Sequence, residues 1–390
     1  MSVKTSHRQI PITKPLIGSE EAVRVREVLE SGWLTQGKMV AAFEEIVKKR
    51  VGASHAVATS SCTTSLHLAL MLVGLKAGDL KPEKAPPEII CPSYSFVATA
   101  NVALYLNAKP VFADIDPKTQ NMDPAHVESL ISERTRAIIA VHQLGQPCDL
   151  DRIYAIGKKH GIPIIEDAAC ALGASYHGKP IGSHGPLVCF SFHPRKAVTS
   201  AEGGILATSH AEFASLASQL RSHGASITDL ARHSKFGTSF ESYNVLGFNF
   251  RMSDVHAAIG IEQMKRLDPI LKRRTEISEF YNRMLGELPE MELRHCPKEC
   301  GHSWQTYAFV LSAKARISRD EFLSKMAERG VSCRRGIPCI HEQSYIVERV
   351  GQVRLPHTER ISQQSVFLPL YPQMTEDDMQ YVIQMCKECL

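Results

Sequence analysis

The chain has 390 residues, of which 44% are hydrophobic, 7% aromatic and 22% charged. A chain this long and this apolar can bury a full core, which excludes disorder, collagen-like repeats and small disulfide scaffolds. The net charge is only +4, from 45 basic and 41 acidic side chains. So small an excess argues against a nucleic-acid-binding protein.

The cysteines and the N-terminal residues predict the compartment. Residues 1–10 contain no apolar run, so we expect no signal peptide, and no stretch reaches the roughly 18 apolar residues of a membrane span. Eleven cysteines without a closely spaced framework favour reduced thiols and a cytoplasmic location. Two patterns resemble metal ligands, Cys296-x3-Cys300-x-His302 and Cys386-x2-Cys389. Neither has a second ligand pair at zinc-site spacing, and we predict no bound metal.

Short apolar runs alternate with helical patterns between residues 55 and 210. The predicted strands are 55–58, 88–91, 110–113, 136–141, 162–165, 187–192 and 204–208, and the predicted helices are 63–75, 95–106, 124–131 and 149–160. This alternation is typical of an α/β fold with a mostly parallel central sheet flanked by helices. Ligands bind such sheets beyond the carboxyl ends of the strands, so we expect functional residues directly after these runs.

The second half of the chain predicts a smaller α/β domain. Helical patterns at 252–267 and 270–288 are interrupted by Pro269, and a strand at 305–311 and helices at 319–329 and 375–388 follow. We therefore predict a large domain over residues 1–265 and a small C-terminal domain over 266–390. Residues 224–246 form a long polar segment, and loops of that length are usually functional.

Common nucleotide-binding signatures do not occur in the sequence. No G-x-G-x-x-G follows the first predicted strand, and no G-x-x-x-x-G-K-[ST] occurs anywhere. A dinucleotide-dependent oxidoreductase and a P-loop enzyme are therefore disfavoured.

A hydroxyl-rich turn opens the first helix of the alternating region. Residues 59–65 read TSSCTTS, with six hydroxyl side chains in seven positions. The N–H groups at a helix N-terminus bind anions, and hydroxyls add donors. Plain helix capping needs only one hydroxyl, so both capping and phosphate binding are open interpretations of this turn.

Two further features lie at predicted strand ends. Glu166 and Asp167 end a buried strand, where one carboxylate could cap the next helix or face a cation such as a protonated ring nitrogen. Lys196 follows an apolar strand and precedes Glu202-Gly203-Gly204. On its own such a lysine is a solvated surface charge in most proteins, but a lysine that is buried forms Schiff bases with carbonyl cofactors. Together with the hydroxyl-rich turn, these residues predict a pyridoxal-phosphate (PLP) site.

With these features the sequence resembles the DegT/DnrJ/EryC1/StrS family of PLP-dependent aminotransferases, which have fold type I and are best known as sugar aminotransferases. The resemblance runs nearly the length of the chain. It is carried, in order, by the segments at 31–37 (SGWLTQG), 92–101 (PSYSFVATAN), 166–169 (EDAA), 190–193 (FSFH) with Lys196 and 202–204 (EGG), and 247–251 (GFNFR).

The resemblance implies a role for each matching residue. Lys196 matches the lysine that holds the cofactor as a Schiff base, and Asp167 matches the partner of its pyridine nitrogen. Phe96 matches an aromatic residue that stacks on the cofactor, although an aromatic residue at helical spacing is equally typical of a core. The phosphate cup is matched by Cys62, Thr63 and Ser191. Asn249 matches a residue that reaches the phosphate of the neighbouring subunit, which implies a homodimer with shared sites.

The sequence departs from the family pattern at three positions. Cys62 replaces a frequent glycine but keeps its backbone N–H, and Cys170 stands beside the cofactor where glutamine or histidine is common. Residues 303–307, SWQTY, replace a frequent histidine-containing strand motif of the small domain. Lys196 argues against the sugar dehydratases of the family, which have histidine at that position.

The resemblance implies ping-pong transamination, with L-glutamate as amino donor and a nucleotide-linked keto-deoxysugar as acceptor. Candidate residues of the acceptor pocket are Trp33, Trp304, Tyr307, Arg335 and His341. Arg334 and Arg335 either present a guanidinium to a diphosphate or form a solvated turn. The alternatives are an aminotransferase for a cyclitol or another non-nucleotide ketone, and a non-catalytic regulator on the same fold.

Overall fold

The computed structural model describes residues 8–75, 85–227 and 241–390. The predicted polar segment at 224–246 therefore lies partly outside the described residues. All eleven cysteines are within them and none is in a disulfide. Across these residues, the search for a helix long and apolar enough to cross a membrane found none.

The large domain alternates strands and helices as predicted. Its helices are α1 Ser19–Ser31, α2 Lys38–Val51, α3 Cys62–Leu72, α4 Ala98–Tyr105, α5 Pro124–Ser129, α6 Leu150–His160, α7 Ala211–Leu220 and α8 Asp254–Lys265. Its strands are β1 His55–Thr59, β2 Glu88–Pro92, β3 Lys109–Ala113, β4 Thr135–Val141, β5 Ile164–Asp167, β6 Ser175–Tyr176, β7 Lys179–Pro180, β8 Val188–Ser191 and β9 Gly204–Thr208.

Seven strands form the central sheet, in the order β1-β9-β8-β5-β4-β2-β3. Among them only β9 runs against its neighbours: it pairs antiparallel with β1 and β8, and the remaining pairs are parallel. Six strands therefore end, and β9 begins, at one edge of the sheet. Both faces of the sheet are covered: the consecutive residues Ile138 and Ile139 point to opposite faces and belong to separate buried clusters. The predicted fold class is confirmed.

The small domain is built on a second, antiparallel sheet in the order β10-β12-β14-β13. Its strands are β10 Met291–Leu293, β12 Tyr307–Leu311, β13 Arg334–Arg335 and β14 Ser365–Leu368, and β11 Cys300–Gly301 instead pairs with β6 of the large domain. Its helices are α9 Leu267–Leu285, α10 Arg319–Glu328, α11 Ser344–Val350, α12 Pro356–Gln364 and α13 Glu376–Cys389.

The break between the two long helices differs from the prediction. It lies at Arg266, and Pro269 falls inside the first turn of α9. A proline is tolerated there because the N–H it lacks has no partner within the helix. We propose that the domain boundary lies at this break, near residue 265.

The N-terminal segment joins the small domain. Ile10 forms a parallel bridge with Val331, and the backbone N–H of Leu370 donates to the carbonyl of Ile12 at 3.2 Å. Arg8 forms an ion pair with Asp378 on α13 at 2.6 Å. The first described residues of the chain are thus fixed against its last third.

Candidate active site

A cavity of about 630 Å³ lies at the edge of the large sheet where the six strands end. Its floor is formed by residues that follow β1, β2, β4, β5 and β8, which is where the sequence predicted functional residues. The small domain forms the opposite wall through β13, β14 and the residues before β12, and Ile12 of the N-terminal segment completes it. Both domains therefore contribute to one site.

The hydroxyl-rich turn forms one end of the cavity. Ser61 is the N-cap of α3 and accepts a hydrogen bond from the Thr64 N–H at 3.2 Å, while Thr59 donates to or accepts from Ser65 at 2.7 Å. Most of the hydroxyls thus hold the turn itself, and capping is part of their role. Thr63 differs, because its hydroxyl lines the cavity and has no hydrogen-bond partner among the described residues.

Gly204 brings β9 against this turn. A Cβ atom at Gly204 would lie 2.3 Å from the carbonyl carbon of Ser61 and 2.5 Å from the backbone nitrogen of Cys62. Only glycine permits so close an approach of two backbones. Because β9 begins at the same edge where β8 ends, Ser191 lies next to the helix N-terminus and also lines the cavity.

The two neighbouring carboxylates face opposite sides of the sheet, as residues on a strand must. Asp167 lines the cavity and is 5% exposed; its carboxylate accepts from the Thr99 hydroxyl at 2.9 Å and the Ala169 N–H at 3.1 Å. Burial raises the pKa of Asp167 although these bonds and the charge of Lys196 oppose it. A buried carboxylate in this state is poised to pair with a cationic ring nitrogen.

Glu166 is directed away from the cavity into a buried network. Its carboxylate contacts the Nε2 of His142 at 2.9 Å and accepts from the Tyr154 hydroxyl at 2.6 Å. His142 accepts the Cys148 N–H at Nδ1, so Nε2 carries the proton that is donated to Glu166. Glu166 therefore has a structural role, and Asp167 alone of the pair faces the cavity.

Lys196 reaches the floor of the cavity from the loop between β8 and β9. Its Nζ donates to the Sγ of Cys170 at 3.2 Å. Burial by itself lowers the pKa of Lys196, but the contact with Cys170 and the charges of Cys62 and Asp167 outweigh it and raise the pKa above its ordinary value. All four side chains line the same cavity.

Phe96 and Asn249, the residues predicted to stack on the cofactor and to reach a second subunit, are both exposed. Phe96 lines the cavity with 74% of its surface exposed, so its ring is not part of a core. Asn249 is exposed and lies outside the cavity lining of this chain. Its neighbour Phe250 accepts the Ser60 N–H at 2.8 Å, which fixes this segment to the hydroxyl-rich turn.

The predicted acceptor residues divide into two groups. Arg335 lines the cavity and forms an exposed ion pair with Asp320 at 2.8 Å. Outside the lining, Tyr307 is 1% exposed in the core of the small domain and Trp304 stacks on His302 at 4.0 Å. The lining also omits Trp33, whose indole N–H donates to the Gln36 carbonyl at 3.3 Å, and the buried His341. The positions of these four residues give their predicted contact with substrate no support within one chain.

Several lining residues had not been predicted. Gln305 and Thr306 belong to the departing motif at 303–307, so that departure was a usable signal. Arg195 adjoins the predicted lysine. Thr13 and His142 carry no local signal, because each reaches the cavity only through long-range packing.

Comparisons with known proteins identify the family of this chain. The chain matches the model of the DegT/DnrJ/EryC1/StrS aminotransferase family over residues 15–387. It is similar to PseC of Helicobacter pylori, an aminotransferase involved in the biosynthesis of pseudoaminic acid, with 27% identity, a TM-score of 0.90 and coverage of 98% of this chain and 99% of that one.

Two further solved structures are similar over nearly the whole length. DesI, solved in the presence of its TDP-sugar product, is 30% identical, with a TM-score of 0.86 and coverage of 98% of this chain and 93% of that one. Spr1654 of Streptococcus pneumoniae, solved in its PMP form, is 25% identical, with a TM-score of 0.90 and coverage of 98% and 99%. Aminotransferases of this family depend on PLP. The chain belongs to the DegT/DnrJ/EryC1/StrS aminotransferase family.

Proposed function

We propose that this aminotransferase uses PLP to move an amino group from L-glutamate to the keto group of a nucleotide-linked deoxysugar. The observation that carries the proposal is the convergence of Lys196, Asp167 and the N-terminus of α3 on one cavity. PseC is involved in the biosynthesis of pseudoaminic acid and DesI was solved in the presence of its TDP-sugar product, which supports a sugar acceptor, and the PMP form of Spr1654 supports the cofactor.

The residues of the cavity fit PLP in charge and shape. The backbone N–H groups at the start of α3, with Thr63 and Ser191, offer donors for a phosphate, and the close approach of Gly204 holds β9 against this turn. Asp167 offers a buried carboxylate for the ring nitrogen, and Phe96 an exposed ring face. When bound, PLP supplies an electron sink for the carbon that gains or loses a proton.

Lys196 carries the protons of the reaction. Its Nζ takes the proton from the Cα of the donor and later delivers one to the new carbon–nitrogen centre of the acceptor. For this the amine must be neutral, whereas the charges around it favour the ammonium form. Cys170 orients Nζ through the 3.2 Å contact and is therefore a positioning residue.

The mouth of the cavity matches a nucleotide-linked acceptor. Three arginine residues line the cavity, Arg195, Arg334 and Arg335, and a guanidinium group binds phosphate in a bidentate manner. The wall behind them is apolar and consists of Ile337 and Leu368 with their neighbours. A diphosphate at the mouth and a deoxygenated sugar carbon against the apolar wall would satisfy both surfaces.

We further propose a homodimer in the cytoplasm. Asn249 is exposed although its segment is held against the hydroxyl-rich turn, so its side chain is available to a second subunit's site. Exposed apolar side chains on the large domain, among them Leu34 and Leu246, support such an interface.

The first test is the visible absorption spectrum of the purified protein before and after addition of L-glutamate. The wild type and a Lys314→Ala control, whose lysine is exposed and outside the cavity, are expected to be yellow and to be bleached by L-glutamate. Lys196→Ala is expected to show neither property. A colourless wild type that stays colourless with added PLP would remove the cofactor from the proposal and favour a non-catalytic regulator.

The acceptor is tested separately by competition. Free UDP and dTDP are added to the bleached enzyme with a keto-sugar, and inhibition by one of them is expected. If no nucleotide competes, the acceptor is a cyclitol or another ketone without a nucleotide. Arg335→Gln is expected to raise the KM for the acceptor and to leave bleaching by L-glutamate unchanged.

A further inference from the structure

His341 belongs to a second cluster of functional side chains, behind the wall of the cavity. It is 3% exposed and Cys339 is 2% exposed, whereas Glu342 is exposed to solvent. One ligand atom from each of these three residues lies within 4.8 Å of the other two. Among the described residues this is the one group of three or more such side chains close enough to share an ion.

The cluster is held rigidly against the large domain. Cys339 forms a bridge with Tyr94, and the Ile340 N–H donates to the Ser93 carbonyl at 3.0 Å. The Ser93 hydroxyl contacts the Nδ1 of His341 at 2.6 Å and accepts the His341 N–H at 3.0 Å. The imidazole therefore has one nitrogen occupied and a fixed orientation.

The other imidazole nitrogen faces an acidic side chain. Nε2 of His341 lies 3.5 Å from the carboxylate of Glu359, which is anchored at the start of α12 by the Leu355 N–H at 2.7 Å. A histidine that is fixed through one nitrogen and presents the other to anionic groups is the arrangement found in metal sites. Glu359 lies outside the group of three ligand atoms, so its carboxylate would act as the partner of a bound water or of the imidazole, not as a ligand.

We propose that Cys339, His341 and Glu342 bind one Zn²⁺ ion per chain, which departs from the prediction of no bound metal made from the sequence. A thiolate, an imidazole and a carboxylate form a ligand set that zinc accepts in tetrahedral geometry and that magnesium and calcium do not favour. Binding releases the thiol proton of Cys339 to solvent as the zinc–sulfur bond forms. The binding of zinc does not rest on the proposed function, whereas its effect on the acceptor does.

The other cysteine patterns do not form such a group of ligands among the described residues, although Cys339, like Cys296 and Cys300, donates to a carbonyl, that of Thr358 at 3.9 Å. Cys296 donates to the Cys300 carbonyl at 3.6 Å, and Cys300 donates to the Pro147 carbonyl at 3.7 Å. The Nδ1 of His302 accepts the Trp304 N–H at 2.8 Å. Cys386 and Cys389 are both buried in the core of the small domain.

Bound zinc would act on the acceptor side of the active site. The three residues before Cys339, at 336–338, line the cavity, and they follow directly from Arg335 at its mouth. An ion on Cys339 fixes the end of this short segment to the large domain through Ser93. Zinc is therefore expected to change the KM for the acceptor and to leave the reaction with L-glutamate unchanged.

The test uses the full-length holoenzyme after dialysis against a chelator. Zn²⁺ is titrated by equilibrium dialysis with elemental analysis, and Co²⁺ by its absorption in the red, away from the cofactor. We expect one ion per chain and an intense tetrahedral cobalt spectrum with a sulfur-to-metal band. Cys339→Ser is expected to abolish that band, and Ser93→Ala to weaken binding by about 10- to 100-fold.

Two variants make the result decisive. Glu342→Gln changes an exposed side chain, so the protein should fold normally and yet bind zinc at least about tenfold more weakly. Cys296→Ser is the matched control and should bind as the wild type does. The proposal is overturned if no ion binds, if Cys339→Ser and Glu342→Gln bind normally, or if Cys296→Ser is the variant that loses the ion.

Discussion

Replacing Gly204 by alanine should weaken cofactor binding through the backbone alone. The new Cβ would meet the Ser61 carbonyl carbon at 2.3 Å and the Cys62 nitrogen at 2.5 Å, where ordinary contacts begin at 3.4 Å. The turn and the strand must therefore separate by about 1 Å, because neither contact is with a flexible side chain. Overpacking of this kind costs about 1–3 kcal/mol of stability.

The same displacement acts on the N–H groups at the start of α3 that we propose to bind the cofactor phosphate. A shift of about 1 Å lengthens a hydrogen bond beyond its useful range, and each such bond to a charged group contributes about 1.5–3 kcal/mol. Loss of one bond therefore corresponds to binding that is roughly 10- to 150-fold weaker. The assay is a titration of Lys196→Ala protein with PLP, so that only the non-covalent contacts are measured.

Gly203→Ala is the matched control. Its Cβ would meet the Ser200 Oγ at 2.3 Å and the Met252 Cε at 2.4 Å, and both are side-chain atoms that can move. We expect it to bind PLP several-fold more tightly than Gly204→Ala. The reasoning is refuted if Gly204→Ala binds as well as its parent, or if the two alanine variants lose equal affinity.

Three further changes have signs that follow from the site. Burial raises the pKa of Asp167, so the stability that this carboxyl group contributes is lost as the pH rises through the raised pKa. Without cofactor, Asp167→Asn should therefore have a higher melting temperature than the wild type at pH 7. This difference should disappear near pH 4. Cys170→Ala removes a contact that raises the pKa of Lys196, so the pKa of that amine, measured by NMR of the reductively methylated, cofactor-free protein, should fall. Arg274 is buried, which lowers its pKa to about 10, and it donates to the carbonyls of Trp304 and Gln305, both at 3.0 Å. Arg274→Met should lower the free energy of unfolding by about 1–3 kcal/mol for each carbonyl left unpaired. It should also raise the KM for the acceptor, because Gln305 lines the cavity. Equal unfolding midpoints of the variant and the wild type in urea would contradict the stability prediction.

The location of the site was predictable because it depends on sheet topology. Parallel strands end at one edge of the sheet, so the residues that follow them lie close together. The hydroxyl-rich turn, Asp167 and Lys196 all line the cavity at that edge. The reversed direction of β9 was not predictable from its apolar pattern, since parallel and antiparallel buried strands look alike. That reversal places Gly204 against the turn.

The choice between Glu166 and Asp167 needed more than local pattern. Alternation along a strand shows that the two side chains face opposite sides, but which side holds the cavity depends on the strand order. The sequence pointed to Asp167 only through the family resemblance. In the structure, Glu166 is committed to His142 and Tyr154.

The acceptor residues were the least predictable part. His341 is buried because the segment around it docks on Ser93, 248 positions earlier in the chain, and Tyr307 is buried because its strand is central in the small sheet. Pairings of such long range leave no signal in a single sequence. The helix break was predicted at Pro269 and lies at Arg266. The prediction was wrong for a local reason, since a proline in the first turn does not interrupt a helix.

The docking of Ile10 beside Val331 also sets an order of events during synthesis. A ribosome adds about 5–20 residues per second, so roughly 15–65 seconds pass before Ile10 can meet its partner. During that interval the large domain can complete its sheet, while Ile10 lacks the backbone partner that Val331 provides. The N-terminal segment is therefore fixed only after most of the small domain has been synthesised.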